Sequence, residues 1–170
     1  MTGTLHRGAA LLGSAALLLL LLTGCGPALP DVTTDLDRPP VYFVPPPAQR
    51  SYDAAAFRTL QAQAYPELHN LETPWPLDEA FARVLTVIRR REWTIVGVEE
   101  KRHRVQMIAM MPVLRLRDDV VIEVRDPPAR GDAAVKSEIV MRSKSRLDWA
   151  ELGGNARRIR AFFRDLQAAP

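Results

Sequence analysis

The residues best placed by type and spacing to do chemistry are Asp118, Asp119, Arg142, Ser143, Ser145, Arg146, Glu151 and Asn155. Arg142 and Arg146 each carry a planar guanidinium fork, the group that grips a carboxylate or phosphate through two parallel hydrogen bonds. A helix opening near Asn155 would add backbone N–H donors to such an anion site. The same residues also have a structural use, in which Asp118 or Asp119 pairs with Arg146 while Asn155 caps the helix. Ser143 and Ser145 have no general base beside them in the run, which an activated nucleophile requires. No nucleophile elbow, phosphate loop or paired-cysteine site occurs. His69 and His103 have neither a neighbouring cysteine nor a helical HExxH setting. Catalysis, a metal and a cofactor are therefore not expected, and a binding module is. The alternative is an enzyme acting on an envelope molecule through Asp118, Arg142, Arg146 and Glu151.

Cys25 is the only cysteine, so no disulfide can form within the chain. It follows a short basic start at His6 and Arg7 and an apolar run from Ala9 to Leu22. That run is about 14 residues long, short of the ~20 that span a bilayer, and matches the core of a secretory signal. Leu22-Thr23-Gly24-Cys25 resembles the lipobox of bacterial lipoprotein precursors. The resemblance implies removal of residues 1–24, a diacylglyceryl thioether on Cys25 and acylation of the new amino terminus. Several acyl chains on one residue are enough for stable anchoring. The expected product is an exported, palmitate-bearing lipoprotein. Gly26 is not aspartate, so the periplasmic face of the outer membrane is preferred to that of the inner membrane.

The chain carries 23 basic and 20 acidic residues. Processing removes only Arg7 among them, and 22 minus 20 leaves +2. So small an excess gives no footprint for nucleic acid. The partners expected are the membrane, through Cys25, and an envelope protein or lipid; the oligomeric state stays open. Residues 25–50 are rich in proline and read as a tether, on the order of 75 Å if extended. Within it Val41-Tyr42-Phe43-Val44 is an apolar interruption suited to docking on the domain or on a partner.

The elements that must position these side chains follow from periodicity. Residues 51–64 predict a short helix capped by Ser51, and Tyr65 to Pro76 an irregular or edge-strand stretch. Phe81, Val84, Leu85 and Ile88 have helical spacing, with Asp78 and Glu79 ahead of them and Arg89 to Arg91 behind, as the helix dipole favours. Strands are predicted over Trp93–Glu99, Val105–Met111, Asp118–Arg125 and Ala134–Ser143, with a charged turn at Glu100–Arg104. Ile159, Phe162, Phe163 and Leu166 stripe a last helix with Asn155 as its N-cap. The fold predicted for residues 65–168 is α+β: helix, four strands, helix, the strands forming an antiparallel sheet with helices on one face. Met107, Met110, Met111, Val113, Leu114 and Leu116 exceed what one strand face needs, and suit either burial or an adaptable lipid or protein surface.

Tyr65-Pro66, Asp118-Asp119-Val120, Arg142-Ser143-Lys144-Ser145-Arg146 and Leu152-Gly153-Gly154-Asn155-Ala156-Arg157-Arg158-Ile159 together resemble a bacterial domain-of-unknown-function family, number fourteen ninety-nine. The likeness runs from Tyr65 to Gln167. Asp148, Glu151 and Trp149-Ala150 depart from its usual loop, where a glycine, an aspartate and a more polar pair are common. The resemblance implies the fold and assigns no activity.

Overall fold

The computed structural model describes residues 29–47, 54–110, 115–129, 134–147 and 153–169. Among these residues the chain forms β1 (Asp31–Thr33), α1 (Ala54–Ala64), β2 (Leu71–Thr73), α2 (Leu77–Arg90), β3 (Thr94–Glu99), β4 (Arg104–Met110), β5 (Arg117–Arg125), β6 (Ser137–Ser145) and α3 (Gly154–Ala168), with a 3₁₀ turn at Glu100–Arg102. Helix α2 forms where the sequence signals agree. Asp78 and Glu79 sit in its first turn, Arg89 and Arg90 in its last, and Ala80, Phe81, Val84, Val87 and Ile88 make its buried stripe. It stops at Arg91, and Glu92 at φ 55° turns the chain into β3.

The strands pair antiparallel in the order β1-β6-β5-β4-β3, and β2 also pairs with β6. Strand alternation then sorts every side chain onto one of two faces. Val105, Met107, Ala109, Val120, Ile122, Val124, Ile139 and Met141 point one way and are buried under α2 and α3, whose Ile159, Phe162 and Leu166 complete the core. Trp93 closes one side by stacking on Phe162 at 5.6 Å between centroids. Each of the larger side chains removed from water contributes roughly 1.5–3 kcal/mol.

The fold is α+β with an antiparallel sheet, but the sheet has six strands where four were expected, and three helices interleave with them. The two added strands, β1 and β2, are three residues long and lie end to end on the same edge of β6. β1 pairs with Arg142–Lys144 and β2 with Ser137–Ile139. Three residues are too few to show a period in sequence. What recruits them is the row of unpaired amides and carbonyls along β6. That edge also explains why the last strand runs from Ser137 to Ser145 and not from Ala134 to Ser143.

β1 arises from the stretch read as a tether, and residues 29–47 of that stretch are laid on the domain. Leu29 and Val32 enter the core. The Gln61 side chain from α1 acts as a surrogate strand for β1, accepting the Thr33 N–H at 3.0 Å and donating to the Thr33 carbonyl. Beyond β1 the chain turns under the sheet and runs across the face that the helices leave open. Gln106 Oε1 accepts the N–H groups of Phe43 and Val44, each at 2.9 Å, and Gln106 Nε2 donates to the Val44 carbonyl at 2.6 Å. The Tyr42 hydroxyl donates to the Asp119 carbonyl at 3.1 Å, while Arg142 and Arg104 lie over the Tyr42 and Phe43 rings. A Cβ on Gly97 would come within 2.7 Å of the Phe43 ring, so β3 needs glycine there to admit this strap. Tyr42, Phe43 and Val44 are therefore packed on their own domain, while the Val41 side chain is exposed. Cys25, residues 1–24 and Ser51 lie outside the described residues.

Gln106 is 1 % exposed. Gln106→Leu leaves three strap backbone groups without their partner, and the expected cost is about 2 kcal/mol of unfolding free energy, read from urea denaturation. Amide exchange should accelerate at Phe43 and Val44 while the amides of β5 stay protected.

Candidate functional site

The polar residues singled out from sequence do not form one site, because they have opposite parity on β5 and β6. Asp118 pairs in register with Ser145 and Val120 with Ser143, which puts Asp118, Ser143 and Ser145 on the helix side. There the partner is Arg158, absent from the predicted cluster. Arg158 makes an ion pair with Asp118, and donates to Ser143 Oγ at 2.8 Å and Asn155 Oδ1 at 2.9 Å. Ser143 in turn donates to Asn155 Oδ1 at 2.7 Å. Asn155 Nδ2 reaches Ser145 Oγ at 3.1 Å and the carbonyls of Leu29 and Pro30 at 3.3 and 3.2 Å.

Asn155 is thus not the N-cap. Gly153 holds that position at φ 72°, a left-handed conformation that glycine adopts without strain, and Asn155 lies inside the first turn, wholly buried. An amide with two donors and an acceptor can join the helix, two strand ends and the incoming N-terminal segment. A cap would satisfy one or two amides of the helix alone. The signal for this was present in the sequence, since Asn155 and Arg158 are three apart and share a helix face.

The opposite side holds the other arginines. Arg146 grips Asp119 through Nε at 3.0 Å and Nη2 at 2.7 Å. That hydrogen-bonded carboxylate holds the Arg146 guanidinium above its ordinary pKa, against the opposing pull of burial. Arg142 grips Asp31 in the same two-pronged way, at 2.8 and 2.6 Å, and donates to the Pro40 carbonyl at 3.4 Å. Both forks are therefore filled by carboxylates of the chain itself, one from β5 and one from β1. The sheet separates Asp118 from Arg142 and Arg146, and Glu151 lies outside the described residues.

The remaining candidates also have places. Met107 is in the core, Leu116 is half-buried and Met110 is exposed; Met111, Val113 and Leu114 lie outside the described residues. His103 closes the 3₁₀ turn at φ 46°, with Nε2 2.7 Å from Asp78 Oδ1 and its ring edge-on to Phe81. Among the described residues no group of histidine, cysteine, aspartate and glutamate could hold a metal ion.

A different constellation, not anticipated from sequence, lies at the other end of β6. Glu138 stands between Arg125 of β5 and Glu72 of β2 in the sheet register. Its Oε2 accepts from Asn70 Nδ2 at 3.3 Å, but Oε1 is buried without a hydrogen-bond donor. The nearest cation is Arg38 Nη2 at 3.7 Å, on a side chain 69 % exposed. Asp35 is already occupied by Arg125 and by the amides of Asp37 and Arg38. Around these groups opens a cavity of about 530 Å³ whose wall also includes Asp37, His69 and Glu72. Carboxylates outnumber cations in it, and Glu72 and Glu138 are directly cross-strand, with Arg38 beside Glu138. The groove was illegible from sequence because its walls come from four separate segments.

Residues 31–166, most of the chain, match the model of a family described as "Protein of unknown function (DUF1499)". No curated protein matches the chain.

Asp118 is 4 % exposed and Asp119 1 % exposed, so each would be left as a buried charge if its arginine were removed. Arg158→Met and Arg146→Ala are each expected to lower the unfolding free energy by about 3 kcal/mol. Adding Asp118→Leu to Arg158→Met should restore much of that loss. An unchanged denaturation midpoint in the single variants would contradict the structural role.

Proposed function

We propose that this chain, which belongs to the DUF1499 family, is an exported lipoprotein whose domain serves as a non-catalytic binding module, held by lipid on Cys25 at an envelope membrane. The anchor reading is supported by the apolar run from Ala9 to Leu22 and the lipobox-like Leu22-Thr23-Gly24-Cys25. Among the described residues no helix is long and apolar enough to cross a membrane. Gly26 favours the periplasmic face of the outer membrane. The non-catalytic reading is supported by the pairing of the predicted acids and arginines into struts of the fold, on opposite sides of the sheet.

The binding reading rests on one observation, the donorless Glu138 Oε1 in the wall of the groove. Its one charged partner is the exposed Arg38 guanidinium at 3.7 Å, beyond hydrogen-bond reach, so the oxygen can still accept a donor from a group that is not on the chain. The ligand class that fits is an organic cation. An ammonium or guanidinium brings several N–H donors to Glu138, while Glu72 and Asp37 supply the remaining negative field.

Two measurements test this. Cells grown with radioactive palmitate should yield a labelled product, and Cys25→Ser should abolish the label and shift the chain out of the membrane fraction; an unlabelled native product would sink the anchor. For the groove, 1,5-diaminopentane should raise the melting temperature of the protein saturably, while neutral 1,5-pentanediol should not. Glu138→Gln should weaken that response about tenfold, the ~1.4 kcal/mol of one charge-assisted hydrogen bond. An equal response in Glu138→Gln would exclude the groove as the seat.

A further inference from the structure

Three features meet at one end of the sheet. The first is the start of the packed chain. Leu29 is buried, and the Pro30 carbonyl accepts the Ser145 N–H at 2.7 Å at the finish of β6. The second is apolar exposure. Met110, at the end of β4, is 48 % exposed, and Leu147, just past β6, is 41 % exposed. Met110 pairs with Arg117, and the Arg146 N–H donates to the Arg117 carbonyl, so these two apolar side chains flank one strand end. The third is charge. Arg115 and Arg117 are exposed there, and neither makes an ion pair among the described residues. The described acids of this end, Asp31, Asp118 and Asp119, are buried and each already holds an arginine.

We propose that this end is the surface the domain lays on the bilayer, with Met110 and Leu147 at the acyl boundary and Arg115 and Arg117 among the lipid phosphates. The inference rests on the lipid anchor at Cys25. Given that anchor, chain length makes the argument. Only Gly26, Pro27 and Ala28 separate Cys25 from Leu29, and four residue steps span at most about 14 Å. The end that carries Leu29 cannot stand farther off than this. A lipidated Cys25 therefore brings the bilayer to this end, within one to two Debye lengths at physiological salt, about 8 Å each. Exposed apolar side chains rimmed by arginine are the composition that an interface of acyl chain and phosphate accepts.

The same geometry sends the groove outward. Ser145 and Glu138 are seven residues apart on β6, about 24 Å at strand rise. The groove wall then faces away from the membrane, open to a ligand arriving from the aqueous side.

The test uses the lipidated protein reconstituted in vesicles of phosphatidylcholine and phosphatidylglycerol. One thiol is introduced by Leu147→Cys or, in the turn at the far end, by Lys101→Cys, and is labelled with an environment-sensitive dye. Brominated lipid is expected to quench the dye at position 147 several-fold more than the dye at position 101. Adding Arg115→Glu and Arg117→Glu to the first variant should reduce its quenching; no reduction would remove the two arginines from the contact. Equal quenching at the two positions, or more at 101, would overturn the orientation. Labelling at one dye per chain supports the thioether on Cys25. Two dyes per chain would reveal a free Cys25 thiol and overturn the anchor itself, so the two failures are told apart.

Discussion

Strand β6 is the element on which the rest of the structure depends, because both of its edges and both of its faces are in use. One edge pairs with β5 along its length, and the other is shared by β1 and β2. Left open, that second edge would be a row of unpaired amides and carbonyls inviting another chain. Filling it draws in segments from far apart in sequence, residues 31–33 and 71–73. The N-terminal segment thereby becomes part of the fold. Several of its other backbone groups are satisfied by side-chain amides, from Gln61 at the sheet edge, Gln106 on the open face and Asn155 at the helix start. Each of these amides offers a donor and an acceptor together, as a neighbouring peptide group would.

The charged residues obey the same geometry. Successive residues on a strand point to opposite faces, so Asp118 and Asp119 cannot serve one site. Asp118 goes to Arg158 beneath α3, and Asp119 to Arg146 on the strap side. Arg142 ties β6 to β1 through Asp31. These pairs are buried on their acidic partner, where loss of one member leaves an uncompensated charge. Their effect is to fix which segment docks where, since the wrong register would bury a carboxylate unpaired.

A functional division follows the long axis of the sheet. At one end the chain emerges within a few residues of Cys25, beside exposed apolar and arginine side chains. At the other end the strand registers bring Glu72 and Glu138 side by side, beneath a groove walled by the turn after β1 and the stretch before β2. In the proposed reading the first end faces lipid and the second faces ligand, and β1 carries the chain from the one toward the other.

Much of the fold was legible in the sequence. The apolar stripe of α2 with its terminal charges, the alternation in β5 and the stripe of α3 each span enough residues for period 3.6 or 2 to stand out. The lipobox-like run and the lone cysteine are likewise local patterns. Local pattern could not reveal β1 and β2, which have no period of their own and exist because β6 has an edge to fill. Nor could it tell which aspartate meets which arginine: Asp119–Arg146 and Asp118–Arg158 depend on strand parity and on the angle at which α3 crosses the sheet. Seven prolines between Gly26 and Arg50 suggest a free tether by composition alone. The tertiary structure overrides that, because Gln106, Arg142 and Gly97 offer the backbone and rings of this segment partners that water cannot match. Local pattern was enough for the long helices, the long strands and the position of the single cysteine; the two short edge strands, and which surfaces are hidden, joined or left open, were decided by long-range pairing between residues up to 126 apart.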